Sequence, residues 1–143
     1  MNFKKYLDEQ VTKFKDPENR IKNIDKLFST DEVQADDVPD WIFELEDKNI
    51  DINELKNSEP KFIDKVLKSL YKIIGTPIKM SELFNSYSGY NSDIYYCKDL
   101  DLYKFYISWK EGYHGDDDDT LDIHKYCFLY RKGKFVIVNG LSV

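Results

Sequence analysis

Arginine is scarce in this sequence: across 143 residues only Arg20 and Arg131 accompany 19 lysines, and Ala35 is the single alanine. Nucleic-acid recognition draws on arginine for bidentate base contacts and on a positive surface for phosphate contacts. With a net charge of -6 the chain has neither on average, which argues against direct nucleic-acid binding. Cysteine is equally sparse. Cys97 and Cys127 form no C-x-x-C pair and no disulfide framework, as expected of a reducing compartment. Long hydrophobic runs are missing too: the apolar stretches, such as residues 135–138, fall far short of the roughly 18–20 residues that span a bilayer. No membrane partner is expected. The opening MNFKKYLDEQ sets Asp8, Glu9 and Gln10 where a signal peptide needs apolar residues, so the expected location is the cytosol.

What is present is apolar and aromatic. Hydrophobic residues make up 41% and aromatics 15%, mainly 11 Tyr and 9 Phe, enough for a core within one domain over 1–143 and too many for a disordered chain. The lysine, asparagine, isoleucine and tyrosine bias fits an AT-rich bacterial or phage genome. Charge is unevenly spread: residues 31–59 hold 11 acidic side chains against Lys48 and Lys56, a local charge of -9, whereas residues 60–88 come to +3.

Periodicity divides the chain into a mainly helical half, 1–88, and an antiparallel β half, 89–143. Phe3, Leu7, Val11 and Phe14 mark a helix over 2–15, and Asp16-Pro17 opens a second one carrying Ile21, Ile24, Leu27 and Phe28 on one face. Pro39 starts a short helix with Trp41, Ile42 and Leu45, and Ile50, Ile52 and Leu55 dock another. The clearest helix covers 59–74, capped by Ser58 and stopped by Gly75, with a short helix over 81–87. Alternation then takes over. Tyr103, Phe105, Ile107 and Trp109 fall on one face of a half-buried strand, with Lys104, Tyr106 and Ser108 on the other. A strand over 93–98 pairs with it across the turn at 99–101, and strands over 121–130 and 134–138 form a second hairpin around Arg131, Lys132 and Gly133. The expected fold is α+β, with about five N-terminal helices, several short, packed on one face of a C-terminal four-stranded antiparallel sheet.

Chemistry is weakly signalled. Residues 113–127 bring together His114, His124, Asp116 to Asp119, Asp122 and Cys127. No metal-ligand spacing occurs, and counted from Asp116 the glycine and glutamate positions of an EF-hand loop are Leu121 and Cys127. An exposed hairpin loop is the simpler reading. On a regular strand His124 and Cys127 point to opposite faces, so a Cys/His nucleophile fails locally. Gly75-Thr76-Pro77 is no phosphate loop. No cofactor, metal site or catalytic residue is assigned.

The acidic segment carries the functional expectation. Asp36, Asp37, Asp40, Glu44, Glu46, Asp47, Asp51 and Glu54, with Trp41 and Phe43 as apolar anchors and Asp116, Asp117, Asp118 and Asp119 as a second negative stretch, suit a basic protein partner. A nuclease or other nucleic-acid-handling protein presents such a surface. The expected role is a non-enzymatic inhibitor or immunity-type protein that masks it, by analogy of function and not by any family motif. Two alternatives stand beside it. A winged-helix-like regulator rests on the helix, connector, helix rhythm of 60–87, and a metal-dependent hydrolase rests on the His114–His124 region.

Overall fold

The structure, a computed structural model, describes residues 17–45, 48–83, 89–112 and 121–141. Helix α1 (Pro17–Leu27) is followed by strand β1 (Glu32–Gln34), a 3-10 turn (Ala35–Asp37), α2 (Asp40–Glu44), β2 (Lys48–Ile50), α3 (Ile52–Ser58), α4 (Pro60–Ile74) and α5 (Met80–Leu83). Four further strands close the chain: β3 (Tyr90–Cys97), β4 (Leu102–Gly112), β5 (Leu121–Arg131) and β6 (Lys134–Asn139). The helix expected over 2–15 lies outside the described residues, as does most of the one expected over 81–87.

The fold is α+β, but the sheet corrects the expectation in number, mixture and cover. It has six strands in the order β1-β6-β5-β4-β3-β2. The four expected strands form its antiparallel centre, while β1 runs parallel to β6 and β2 antiparallel to β3, so the N-terminal half supplies both edges. Those edge strands have three residues each, too few to show alternation, and short edges limit pairing with other chains.

Helices cover both faces of the sheet rather than one. On the first face, Tyr103, Phe105, Ile107 and Trp109 of β4 with Phe128 and Tyr130 of β5 meet Leu55 of α3, Phe62, Ile63, Val66 and Leu70 of α4, and Leu83 of α5. On the second face, Leu102, Cys127, Leu129, Val136 and Val138 meet Ile24 and Leu27 of α1 and Ile42 of α2. The alternation in β4 falls as the sequence indicates, but the strand is covered on both sides. Lys104, placed by its polarity on a solvent face, is 2% exposed.

Local signals explain the ends of several elements. Pro60 opens α4, and Gly75, at φ 89°, closes it with its amide donating to the Tyr71 carbonyl at 2.8 Å. Ser58 does not cap α4: its hydroxyl donates back to the Glu54 carbonyl inside α3, and Glu59 occupies the cap position. Asp51 caps α3 by accepting from the Glu54 amide at 2.8 Å. Arg131 ties the layers together, its Nε donating to the Leu100 carbonyl and its Nη1 to Asp25 of α1, both at 2.7 Å. The β5–β6 hairpin turns on Lys132 and Gly133, with φ of 50° and 79°. Both residues of such a turn have positive φ, a geometry that favours Asn-Gly. Lys132→Asn is expected to stabilise the fold by about 0.5 kcal/mol, read as a higher urea midpoint with an unchanged slope.

Candidate functional site

The second face is incompletely covered. Helix α2 is five residues long and reaches over only part of β3 and β4, leaving a cleft of about 830 Å³. Its floor is the sheet itself. Asp93 and Tyr95 of β3 stand opposite Tyr106 and Lys104 of β4, and Lys125 of β5 adds to the same floor. One wall is Ala35, Asp36, Asp40, Phe43 and Leu45, and Gly140 and Leu141, which follow β6 where Ala35 follows β1, complete the lining beside Ala35. Gly140 has φ 76°, where any side chain strains the backbone, while the Gln34 Oε1 that a Cβ would approach to 3.0 Å ends a flexible side chain that can move aside.

Lys104 is the central polar group. Its ammonium donates to the Ile42 carbonyl of α2 at 2.8 Å and lies 5.9 Å from the centre of the Tyr95 ring. That bond pins α2 to the floor. Tyr95 and Tyr106 meet edge to face with centroids 5.8 Å apart. The cleft therefore offers aromatic surface, three carboxylates, and two lysines of which one is bonded to backbone. Pockets of this size with a few fixed polar groups are the usual form of a binding site.

The thiol beside the floor, on the strand paired with Tyr106, is inert. Burial pushes Cys127 up from 9.0 to about 12, against the smaller opposing pull of Lys104 and of a hydrogen bond with Tyr106. Tyr96 is likewise pushed up to about 12, first by burial and then by its hydrogen bond to Asp101. Folding holds these protons more tightly than the unfolded chain does, so their contribution to stability is complete below pH ~9 and is lost as the pH climbs toward 12. Thermal unfolding at successive pH values should show the midpoint falling above pH ~9, less steeply in Cys127→Ala. Native protein at pH ~8 should expose no more than Cys97 to a thiol reagent.

The chain matches no protein-family model, no curated protein and no solved structure. Function therefore rests on the site. Of the residues singled out in the sequence, Asp36, Asp40 and Phe43 line the cleft. Asp37 and Glu44 are exposed on the adjoining turn and helix, and Trp41 is half-buried against the second-face core. Asp51 and Glu54 are elsewhere: between β1 and β2 the chain crosses the full width of the sheet, about 24 Å for five strand spacings. Glu54 there pairs with Lys48 at 4.0 Å, with side chains 51% and 75% exposed, so solvent screens the pair. Among the described residues the acidic segment is therefore divided: Asp36 and Asp40 line the second-face cleft, whereas Asp51 and Glu54 belong to α3, whose Leu55 packs in the first-face core. Glu46, Asp47, His114 and Asp116 to Asp119 lie outside the described residues.

His124 is on the first face, stacked on Trp109 with centroids 5.3 Å apart, while Cys127 belongs to the second-face core. No three of His, Cys, Asp and Glu come together as a metal site among the described residues. Residues 89–98, which follow the 60–87 rhythm and are where a winged helix would need its recognition helix, hold strand β3.

Asp93, Tyr95, Lys104, Tyr106 and Lys125 were not singled out by the sequence. Their signal was present in the apolar residues out of phase with the first face: Leu102, Cys127, Leu129, Val136 and Val138. Apolar residues in both phases mark strands covered on both sides, which turns a tyrosine and lysine in the second phase into cleft residues.

Proposed function

We propose that the protein is a non-enzymatic binding module whose cleft holds a basic segment of a protein partner. The observation that carries this reading is the convergence of Asp36, Asp40 and Asp93 on one concave surface with Phe43, Tyr95 and Tyr106, while the buried Lys104 ammonium is bonded to the Ile42 carbonyl. A lysine or arginine side chain entering there meets carboxylates at its charged end and ring faces along its stem. The partner surface that fits is basic, as in a nuclease or other nucleic-acid-handling protein. An acidic domain seated on such a surface blocks it by competing for the same cations, as an inhibitor or immunity-type protein does.

The test is affinity capture from the native host with three forms of the chain. Wild type and Glu54→Lys/Asp64→Lys, two exposed acids away from the cleft, should retain the same basic protein at physiological salt, and Asp36→Lys/Asp40→Lys should lose it. Equal loss in both double variants, or no retained protein, would remove the cleft as the binding site.

A further inference from the structure

The first face presents a different charge. Lys61, Lys65, Lys68 and Lys72 of α4 are all exposed and follow one another at steps of four, three and four residues. At about 100° per residue they fall within a strip roughly 60° wide, and the line extends about 16 Å. The buried Val66 and Leu70 lie on the opposite side of the helix, and Asp64 is the only acid within it. Tyr71, 51% exposed, flanks the strip near its C-terminal end.

The cleft acids do not neutralise this line. They belong to the second face of the sheet, and a helix about 10–12 Å across stands between the strip and the first face, more than the roughly 8 Å screening length at physiological salt. The acidity of the whole chain argued against nucleic acid, but that figure averages over faces that a polyanion meets one at a time.

We propose that the lysine strip of α4 binds the phosphate backbone of single-stranded nucleic acid, with Tyr71 offering its ring to an unpaired base. A single line of cations tracks a strand, and an exposed ring beside it suits stacking on any base. An anionic membrane is the poorer fit, because the apolar side of α4 is buried in the core and has nothing to insert. This site is separate from the cleft, and its failure would leave the cleft reading untouched.

The experiment is fluorescence anisotropy of a labelled oligothymidine with the full chain over a range of potassium chloride concentrations. Saturable binding at low salt is expected, with log K falling against log salt at a slope of about -3, from roughly 0.7 per lysine contact. Lys65→Glu/Lys68→Glu should weaken binding by about tenfold or more and flatten the slope. Tyr71→Ala should weaken it roughly tenfold without changing the slope, and Lys26→Glu, on α1 across the sheet, should change neither. Absence of saturable binding at low salt, an unaltered slope in the double variant, or tighter binding to phosphatidylserine vesicles than to the oligonucleotide would each overturn the proposal.

Discussion

Replacing Phe62 by alanine should destabilise the protein by about 3–5 kcal/mol, the largest loss expected from any single truncation in the first-face core. Phe62 is fully buried and is the hub through which α4 meets the sheet. Its ring stacks on Tyr130 with centroids 4.9 Å apart, meets Phe105 edge to face at 6.1 Å, and contacts Phe135 and Tyr103 at 6.0 and 6.2 Å. Truncation removes the apolar burial and leaves a cavity between groups fixed on three strands and a helix, which cannot close in together. Against a total stability of about 5–15 kcal/mol for an ordinary domain, the loss is a large share. Urea unfolding should show it as a lowered midpoint. Ile73→Ala on the same helix, where the side chain is 36% exposed, should stay within about 1 kcal/mol.

The second large effect is at Lys104. A lysine almost wholly inside a sheet is retained only if its charge is satisfied, and here the ammonium holds the Ile42 carbonyl. Lys104→Met keeps the volume of the stem and removes the donor, costing about 1–2 kcal/mol for the carbonyl left without it. Lys104→Glu is more severe, about 4 kcal/mol or more, because a buried carboxylate then faces that carbonyl in a cleft already lined by Asp36, Asp40 and Asp93. Ordering the three forms by urea midpoint as wild type, Met, Glu checks the account. Equal midpoints for the two variants would mean that the site is wet and that α2 is not held through this bond. Since the same bond fixes α2 over the floor, Lys104→Met should also weaken partner retention while the chain remains folded.

The sequence showed the centre of this molecule more clearly than its edges. The alternation of Tyr103, Phe105, Ile107 and Trp109, the Lys132-Gly133 turn and the Pro60 to Gly75 helix are local consequences of local residues, and each appears where the pattern indicates. Strands β1 and β2 do not exist locally. Glu32–Gln34 and Lys48–Ile50 are extended because β6 and β3 offer them hydrogen-bonding edges, one from a hundred residues away. Local pattern alone therefore supports a four-stranded sheet covered on one face, and such a sheet has no place for the cleft. Once both faces are covered, Lys104 changes from a solvent-facing lysine into a buried one, and Tyr95 and Tyr106 become lining. The acidic segment was legible as composition but not as a surface, since its path from one edge of the sheet to the other separates Asp36 and Asp40 from Asp51 and Glu54.

The most direct test of the cleft as a site for basic side chains is an amide chemical-shift titration of the full chain with a short arginine-rich peptide, acetylated and amidated at its ends. Saturable shifts at Asp93, Tyr95, Lys104 and Tyr106 on the floor, together with Asp36, Asp40 and Phe43 on the wall, are the predicted result, and they should vanish in Asp36→Lys/Asp40→Lys. Shifts confined to Asp51, Glu54 and other exposed acids, with the floor unmoved, would contradict it.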